Sequence, residues 1–176
     1  FNCNFVNCSC DINDTIDHDR YGYGGAIYIT NGGVVSNCSF TNCYAFTSAG
    51  ALSIGSVSAG GVADISNCSF TNCSSSDYAG AIFIWDGTIS NCSFVNSSAN
   101  DGGAIYANMG TINNSTFDNC SSLSSAGAIF IYYDGTVNGC NFTNCNAKVD
   151  SAMGGAVFIG GECKVNSCNF INCFAT

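Results

Sequence analysis

Fourteen cysteines in a chain of 176 residues are the groups with the most chemistry to offer. Twelve obey one rule: relative to a phenylalanine, one cysteine stands two positions before it and another three positions after. The leading set is Cys3, Cys38, Cys68, Cys92, Cys140 and Cys168, with Ser115 where a further member would fall. The trailing set is Cys8, Cys43, Cys73, Cys120, Cys145 and Cys173, with Ser97 in the gap. Cys10 and Cys163 lie outside both sets. So many thiols beside a single histidine fit disulfide chemistry in an oxidising, extracellular compartment better than a cytosolic enzyme. Soft-metal binding is the other chemistry that two rows of thiolates could offer. It needs four ligands in a closed cluster, and the usual C-x-x-C spacing does not occur, so no metal and no cofactor is assigned.

Carboxylates and asparagines are the remaining candidates. The densest acidic run is "DINDTIDHDR" at 11–20, with Asp11, Asp14, Asp17, Asp19, His18 and Arg20. It lacks the central glycine and terminal glutamate of a calcium loop, and a solvated insertion is the expectation. Asp86 and Asp134 each precede a glycine, where turn chemistry accounts for them. No catalytic residue is assigned. Eleven N-x-S/T sequons are present, and in a secreted chain Asn37, Asn67 and Asn91 are the chief glycosylation candidates. Asparagine also persists after phenylalanine where the sequon is lost, at Asn42, Asn144 and Asn172, so that column is expected to serve corner geometry.

These residues are positioned by a repeat. "SNCSFTNC" occurs at 36–43 and again at 66–73, and variants of it are centred on Phe5, Phe94, Phe117, Phe142 and Phe170. A second phrase alternates with it: "GGAIYI", "AGALSI", "AGAIFI", "GGAIYA", "AGAIFI" and "GGAVFI". The second glycines, Gly25, Gly50, Gly80, Gly103, Gly127 and Gly155, are separated by 25, 30, 23, 24 and 28 residues, a period that means a solenoid. Each phrase alternates with the period of a strand, and Asn-Gly or Asp-Gly turns separate them. Three short strands per unit are expected, forming one coil of a parallel β-helix. Stacking would align Ile27, Leu52, Ile82, Ile105, Ile129 and Val157 inside, beside Ile29, Ile54, Ile84, Ile131 and Ile159, with the phenylalanines as a third wall. The aromatic column Tyr28, Phe83, Tyr106, Phe130 and Phe158 has the opposite parity. It faces outward or lies beneath a covering layer, and is a candidate for lateral contact or sugar stacking.

Alternating "GGAI" and Cys-x-Phe-x-Asn phrases resemble the repeats of chlamydial polymorphic outer-membrane proteins and of adhesin-like surface proteins of methanogenic archaea. The resemblance covers Phe5 to Cys173, and it implies a right-handed parallel β-helix displayed outside the cell as an adhesin or envelope component. This chain differs in carrying a cysteine where those repeats often have a second asparagine.

Two disulfide patterns suit stacked coils. Neighbours along one column would lie about 4.8 Å apart, within the Cα reach of a disulfide. Alternatively each coil closes across its own corner, as Cys38 with Cys43, leaving Cys92 to meet Cys120 diagonally; the serine positions favour this second pattern. The expectation is a single all-β domain over 1–176, of about six to seven coils and uncapped, since it starts and stops at the same phase of the repeat. Such edges mark either a piece cut out of a longer solenoid or templates for head-to-tail association, with Cys10 and Cys163 as the candidate intersubunit link. The function expected is that of a structural surface filament, fibre or sheath whose partner is itself. An adhesin fragment that binds glycans is the alternative, and a polysaccharide lyase or hydrolase the third reading. A net charge of −9 argues against nucleic acid and anionic membranes, and no apolar run reaches the roughly 20 residues of a membrane span.

Overall fold

Alternating inward and outward side chains on short strands bury one face only if the coils stack, and the protein takes that solution. The computed structural model describes residues 2–11, 22–55, 61–148 and 152–176. Among these residues every pairing between strands is parallel, and four sheets run the length of a β-solenoid of about six turns.

The first sheet carries the phenylalanines, on Asn4–Val6, Ser39–Thr41, Ser69–Thr71, Ser93–Val95, Thr116–Asp118, Asn141–Thr143 and Asn169–Ile171. The second follows the trailing cysteine, from Ser9–Cys10 through Tyr44–Ala45 and Ser74–Ser75 to Phe174–Ala175. The third holds the "GAI" phrase, from Ile27–Ile29 to Val157–Ile159, and the fourth runs from Gly33–Ser36 to Cys163–Asn166.

Four strands per coil, against the three expected, is a correction with a simple cause. The second-sheet strands are as short as two residues and their inward column is Cys10, Ala45, Ser75, Ala99, Ser122, Ala147 and Ala175. Alanine and serine carry almost no hydrophobic signal, so periodicity overlooks them. Their small size lets this wall approach the others closely.

The expected interior columns are present in register. Ile27 pairs with Leu52, Leu52 with Ile82, Ile82 with Ile105, Ile105 with Ile129 and Ile129 with Val157. Phe40, Phe70, Phe94, Phe117 and Phe142 are fully buried. Their rings stack in one file from Phe5 to Phe170, with centroids 4.7 to 5.0 Å apart and planes within 8° of parallel. That spacing is the coil-to-coil repeat itself, so each ring covers its neighbour's face.

Left-handed corners flank the phenylalanine strand on both sides. Asn37, Asn67, Asn91 and Asn114 form the leading corner, with Gly139 and Ser167 in the same place, at φ of 47 to 65°. Asn7, Asn42, Asn72, Asn96, Asn119, Asn144 and Asn172 form the trailing one at 52 to 55°. Asparagine tolerates this region better than other side chains. In the trailing column the amides also form a ladder: Asn42 Nδ2 donates to Asn7 Oδ1 at 3.1 Å, Asn72 to Asn42 at 3.1 Å, Asn96 to Asn72 at 3.1 Å and Asn119 to Asn96 at 2.8 Å. The expectation that this column serves corner geometry is met. Asn96→Gly, which keeps the backbone but loses two ladder bonds, is expected to cost about 1 kcal/mol; Asn96→Ala, which also forces a Cβ into the left-handed region, about 2 to 3. Denaturant midpoints of the two variants check this, and equal losses would mean that the backbone angle contributes nothing.

Close approach of main chains explains the second glycine of "GGAI". A Cβ on Gly50, Gly80, Gly103 or Gly127 would stand 2.0 to 2.2 Å from the carbonyl oxygen of the same glycine one coil on. The backbone turns inward at this corner until nothing larger than hydrogen fits.

Candidate functional site: two thiol ladders and the open coil faces

The cysteines take the two corners beside the phenylalanine strand. Each is followed at once by a ladder residue: Ser69 N donates to Cys38 O, Ser93 N to Cys68 O, Ser74 N to Cys43 O and Ser98 N to Cys73 O. Stacking therefore aligns cysteine over cysteine at both corners. Cys43, Cys68, Cys73, Cys92, Cys120, Cys140 and Cys145 are buried in the core, and Cys8, Cys38, Cys168 and Cys173 pack against it, while Cys3 is exposed. All fourteen cysteines are free thiols in this structure. From Cys8 to Cys173 each column thiol leans on the carbonyl two residues before it, as Cys68 Sγ to Ser66 O at 3.3 Å and Cys73 Sγ to Thr71 O at 3.6 Å.

The in-coil pairs favoured from the sequence are not brought together. Cys38 and Cys43 bracket the strand Ser39–Thr41, and extended chain at about 3.3 Å per residue holds such ends beyond the roughly 7 Å that a disulfide can span. The diagonal from Cys92 to Cys120 fails likewise, since it crosses from the leading to the trailing corner. Thiols instead meet along the columns. Cys43 lies between the thiols of Cys73 and Cys8, Cys68 between those of Cys92 and Cys38, and Cys145 between those of Cys120 and Cys173.

A thiolate held by a neighbouring S–H is stabilised, and its donor is correspondingly harder to ionise. The Cys73 thiol thus lowers Cys43 to about 6, and the Cys92 thiol lowers Cys68 to about 7. The donors Cys73 and Cys92 move the other way, first through the same hydrogen bond and then through burial. The Cys145 thiolate is favoured by Cys120, and Cys120 is raised. Burial pushes Cys140 up to about 11. The thiolate absorbance of the fully reduced protein is therefore expected to show a first step at about pH 6 to 7, below the ordinary thiol value of 9.0. One step near the ordinary value would contradict it.

Serine interrupts each column once. Ser115 Oγ donates to Asn113 O at 2.8 Å and accepts from Cys92 N at 3.1 Å, whereas Ser97 Oγ is buried without a hydrogen-bond partner.

The two cysteines outside the ladders lie on different faces. Cys10 heads the small-residue column of the second sheet, and Cys163 ends the column of Gly33, Ala63, Gly87, Gly110 and Gly135 on the fourth. Coils continued in register would keep the two on different sheets.

Of the two expectations for the aromatic column, the covering layer is the one found over Tyr106 and Phe130. Tyr106 and Phe130 are each only 8% exposed and form a satellite cluster with Ala49, Ala79 and Ala126, against which Phe83 and Phe158 pack. Tyr78 adds an edge-on contact to Tyr106 at 5.0 Å. The segments leading into the "GAI" phrase fold over the third sheet and cover its outer face, leaving Tyr28 exposed at the first coil.

Asn37, Asn67 and Asn91 are exposed on the leading corner, accessible as glycosylation would require. Of the acidic run, Asp14, Asp17, Asp19, His18 and Arg20 lie outside the described residues. Asp134 Oδ1 accepts from Glu162 N at 2.8 Å, a turn role, and Asp86 opens the strand Asp86–Ser90. Together with Thr111, Thr136, Glu162 and Lys164 they line an open groove of about 440 Å³ along the fourth sheet. One carboxylate pair escaped the sequence reading: Asp77 and Asp101 face each other beside Tyr78, and Asp77 is raised by burial and by Asp101. The aspartates just before the glycine phrase in "SDYAG" and "ANDGG" were the available signal.

Core side chains are less covered in the first and last described coils than between them. In the last, Phe170 and Val165, whose counterparts in the middle coils are buried, are 44% and 43% exposed. With Val157, Ile159 and Cys173 they line an open apolar depression of about 450 Å³. At the first coil Phe5, Ile27 and Ile29 are only partly covered.

No protein-family model matches the chain, and no curated protein or solved structure is detectably similar to it. The likeness to chlamydial and methanogen surface repeats stands on the repeat phrases alone.

Proposed function

We propose that this chain is a structural, extracellular protein whose coils associate head to tail with further copies, forming a surface filament, fibre or sheath. The observation that carries this reading is the in-register stacking of coil on coil, by which the phenylalanine and aliphatic columns run uninterrupted from one coil to the next. The last coil offers Phe170, Val165 and the strand edges Asn169–Ile171 and Phe174–Ala175. The first coil offers the same columns at the same phase, on Asn4–Val6 and Ser9–Cys10. An added copy whose Asn4–Val6 lies on Asn169–Ile171 would extend the first two sheets, the phenylalanine stack and the asparagine ladder, while the third and fourth sheets, with six strands each against seven, would lack one strand at the joint. The abundant cysteines and the exposed sequons support an extracellular setting. Particle mass measured by light scattering across a concentration series tests the association: growth to open-ended multiples is expected, and one chain per particle at every concentration would overturn it.

The groove along the fourth sheet favours a second reading, an adhesin that binds glycans. Its carboxylates, threonine hydroxyls and Lys164 are the polar groups a sugar would engage. Glycan binding by the dispersed single chain, lost in Asp134→Asn, would favour the adhesin; no binding to a broad glycan panel would count against it.

A further inference from the structure

The serine interruptions fix how the thiol ladders can pair. In the leading column Ser115 stands directly above Cys92, so the only column neighbour left to Cys92 is Cys68. Above the serine, Cys140 has only Cys168. In the trailing column Ser97 leaves Cys73 only Cys43 below, and Cys120 only Cys145 above. Once Cys68 is taken, Cys38 has only Cys3. This assignment starts from the serines and works outward, so it holds whatever coils adjoin the first and last.

We propose that the oxidised protein is stapled coil to coil by Cys3–Cys38, Cys68–Cys92, Cys140–Cys168, Cys43–Cys73 and Cys120–Cys145, leaving Cys8 and Cys173 at opposite ends of the trailing ladder. The in-register spacing of about 4.8 Å lies inside the Cα range of a disulfide, and each pair bridges two successive coils. Cys43, Cys68 and Cys145 each have a thiol on both sides in the column, and the neighbour that favours the thiolate more is the assigned one, Cys73, Cys92 and Cys120 respectively. In each of these pairs one member is the better thiolate and supplies the nucleophile.

The chemistry needs an oxidant of the small-molecule disulfide class, such as oxidised glutathione. The thiolate attacks one sulfur of RSSR and expels RS⁻, giving a mixed disulfide. The column neighbour then loses its proton, attacks the protein sulfur of that mixed disulfide and expels the second RS⁻. Two protein thiols and one RSSR become one protein disulfide and two RSH.

Cys8 and Cys173 extend the inference to the joint between copies, and this part rests on the head-to-tail reading above. Both belong to the trailing column, so a second copy stacked in register would set its Cys8 over Cys173 at the same coil spacing. This pair takes the place first expected for Cys10 and Cys163.

Protein refolded in a glutathione buffer, blocked with iodoacetamide under denaturing conditions and digested with pepsin at low pH decides between the patterns. For the single chain the expected result is five vertical cross-links, with Cys8, Cys10, Cys163 and Cys173 alkylated. Cross-links within a coil, such as Cys38–Cys43, or twelve protected cysteines, would overturn the assignment. A Cys92→Ser variant is expected to add one alkylated thiol in the leading column and to leave Cys120 joined to Cys145; a newly free Cys120 would overturn it by revealing the diagonal. In assembled material a Cys8–Cys173 peptide joining two chains is expected. Vertical pairs without that peptide would overturn the joint alone, and particles that fail to grow would overturn the head-to-tail reading while leaving the staples to be judged by their own cross-links.

Discussion

Gly103→Ala is expected to destabilise the solenoid by about 4 kcal/mol or more, the range reached only when backbone must move. The added methyl would lie 2.0 Å from the Gly127 carbonyl oxygen and 2.6 Å from that of Ser121. Neither is the end of a flexible side chain. Both belong to the next coil, whose main chain is tied by hydrogen bonds from Gly103 N to Ala126 O and from Gly127 N to Gly155 O. Relief therefore requires one coil to lift from another, and the cost spreads to the columns that stacking holds in contact. Gly33→Ala is the control, because its methyl would meet only the Ile29 side chain, at 3.3 and 3.5 Å. That variant should stay within about 1 kcal/mol of the parent. Urea unfolding of the three reduced proteins makes the comparison, and an equal small loss in both variants would mean that the coils do not approach as closely as described.

Phe94→Ala should cost about 3 to 5 kcal/mol, the usual range for emptying a buried phenylalanine site. Its ring is fully buried and stacked on both faces, by Phe70 at 5.0 Å and Phe117 at 4.8 Å. The neighbours cannot close over the gap, since each is pinned in its own coil at a fixed rise. Phe170 provides a contrast within the same column: 44% exposed, and stacked only on Phe142 at 4.7 Å. In the dispersed chain Phe170→Ala should cost about 1 to 2 kcal/mol, scaled by the smaller area that the ring has buried. In assembled material the same substitution should weaken association, because the Phe5 ring of the next copy would otherwise complete the stack. A Phe170→Ala variant that polymerises as the parent does would count against the end face as the joint.

The legible part of the fold was the part written in large apolar side chains. Ile82, Phe83 and Ile84 alternate plainly, and Phe40 recurs as Phe70 with the same flanking residues, so two walls and their register follow from one-dimensional spacing. The trailing asparagines were legible too, because Asn42, Asn144 and Asn172 persist where no sequon does. The second sheet was not, since Ser74–Ser75 and Asn146–Ala147 carry no periodic hydrophobic signal and their inward role appears only when Ala45, Ser75 and Ala147 fall into one column. The outer aromatic stripe was half legible. Its parity placed Tyr106 and Phe130 outside the inner core, while the cover over them comes from Ala79 and Ala126, alanines whose sequence gives no hint of lying on that face. The thiol sites followed the same division. Spacing located every column cysteine at a corner, but the choice between pairing along a column and pairing across a coil depends on how far the strand Ser39–Thr41 pushes Cys38 from Cys43, a distance that sequence spacing does not measure.

Fibre diffraction of the native assembled material tests the central claim most directly. Coils that continue from one copy to the next place a strong reflection at about 4.8 Å along the fibre axis rather than across it. That reflection on the meridian is the expected result. Single-chain particles, or bundles whose 4.8 Å spacing lies perpendicular to the long axis, would contradict head-to-tail stacking of this solenoid.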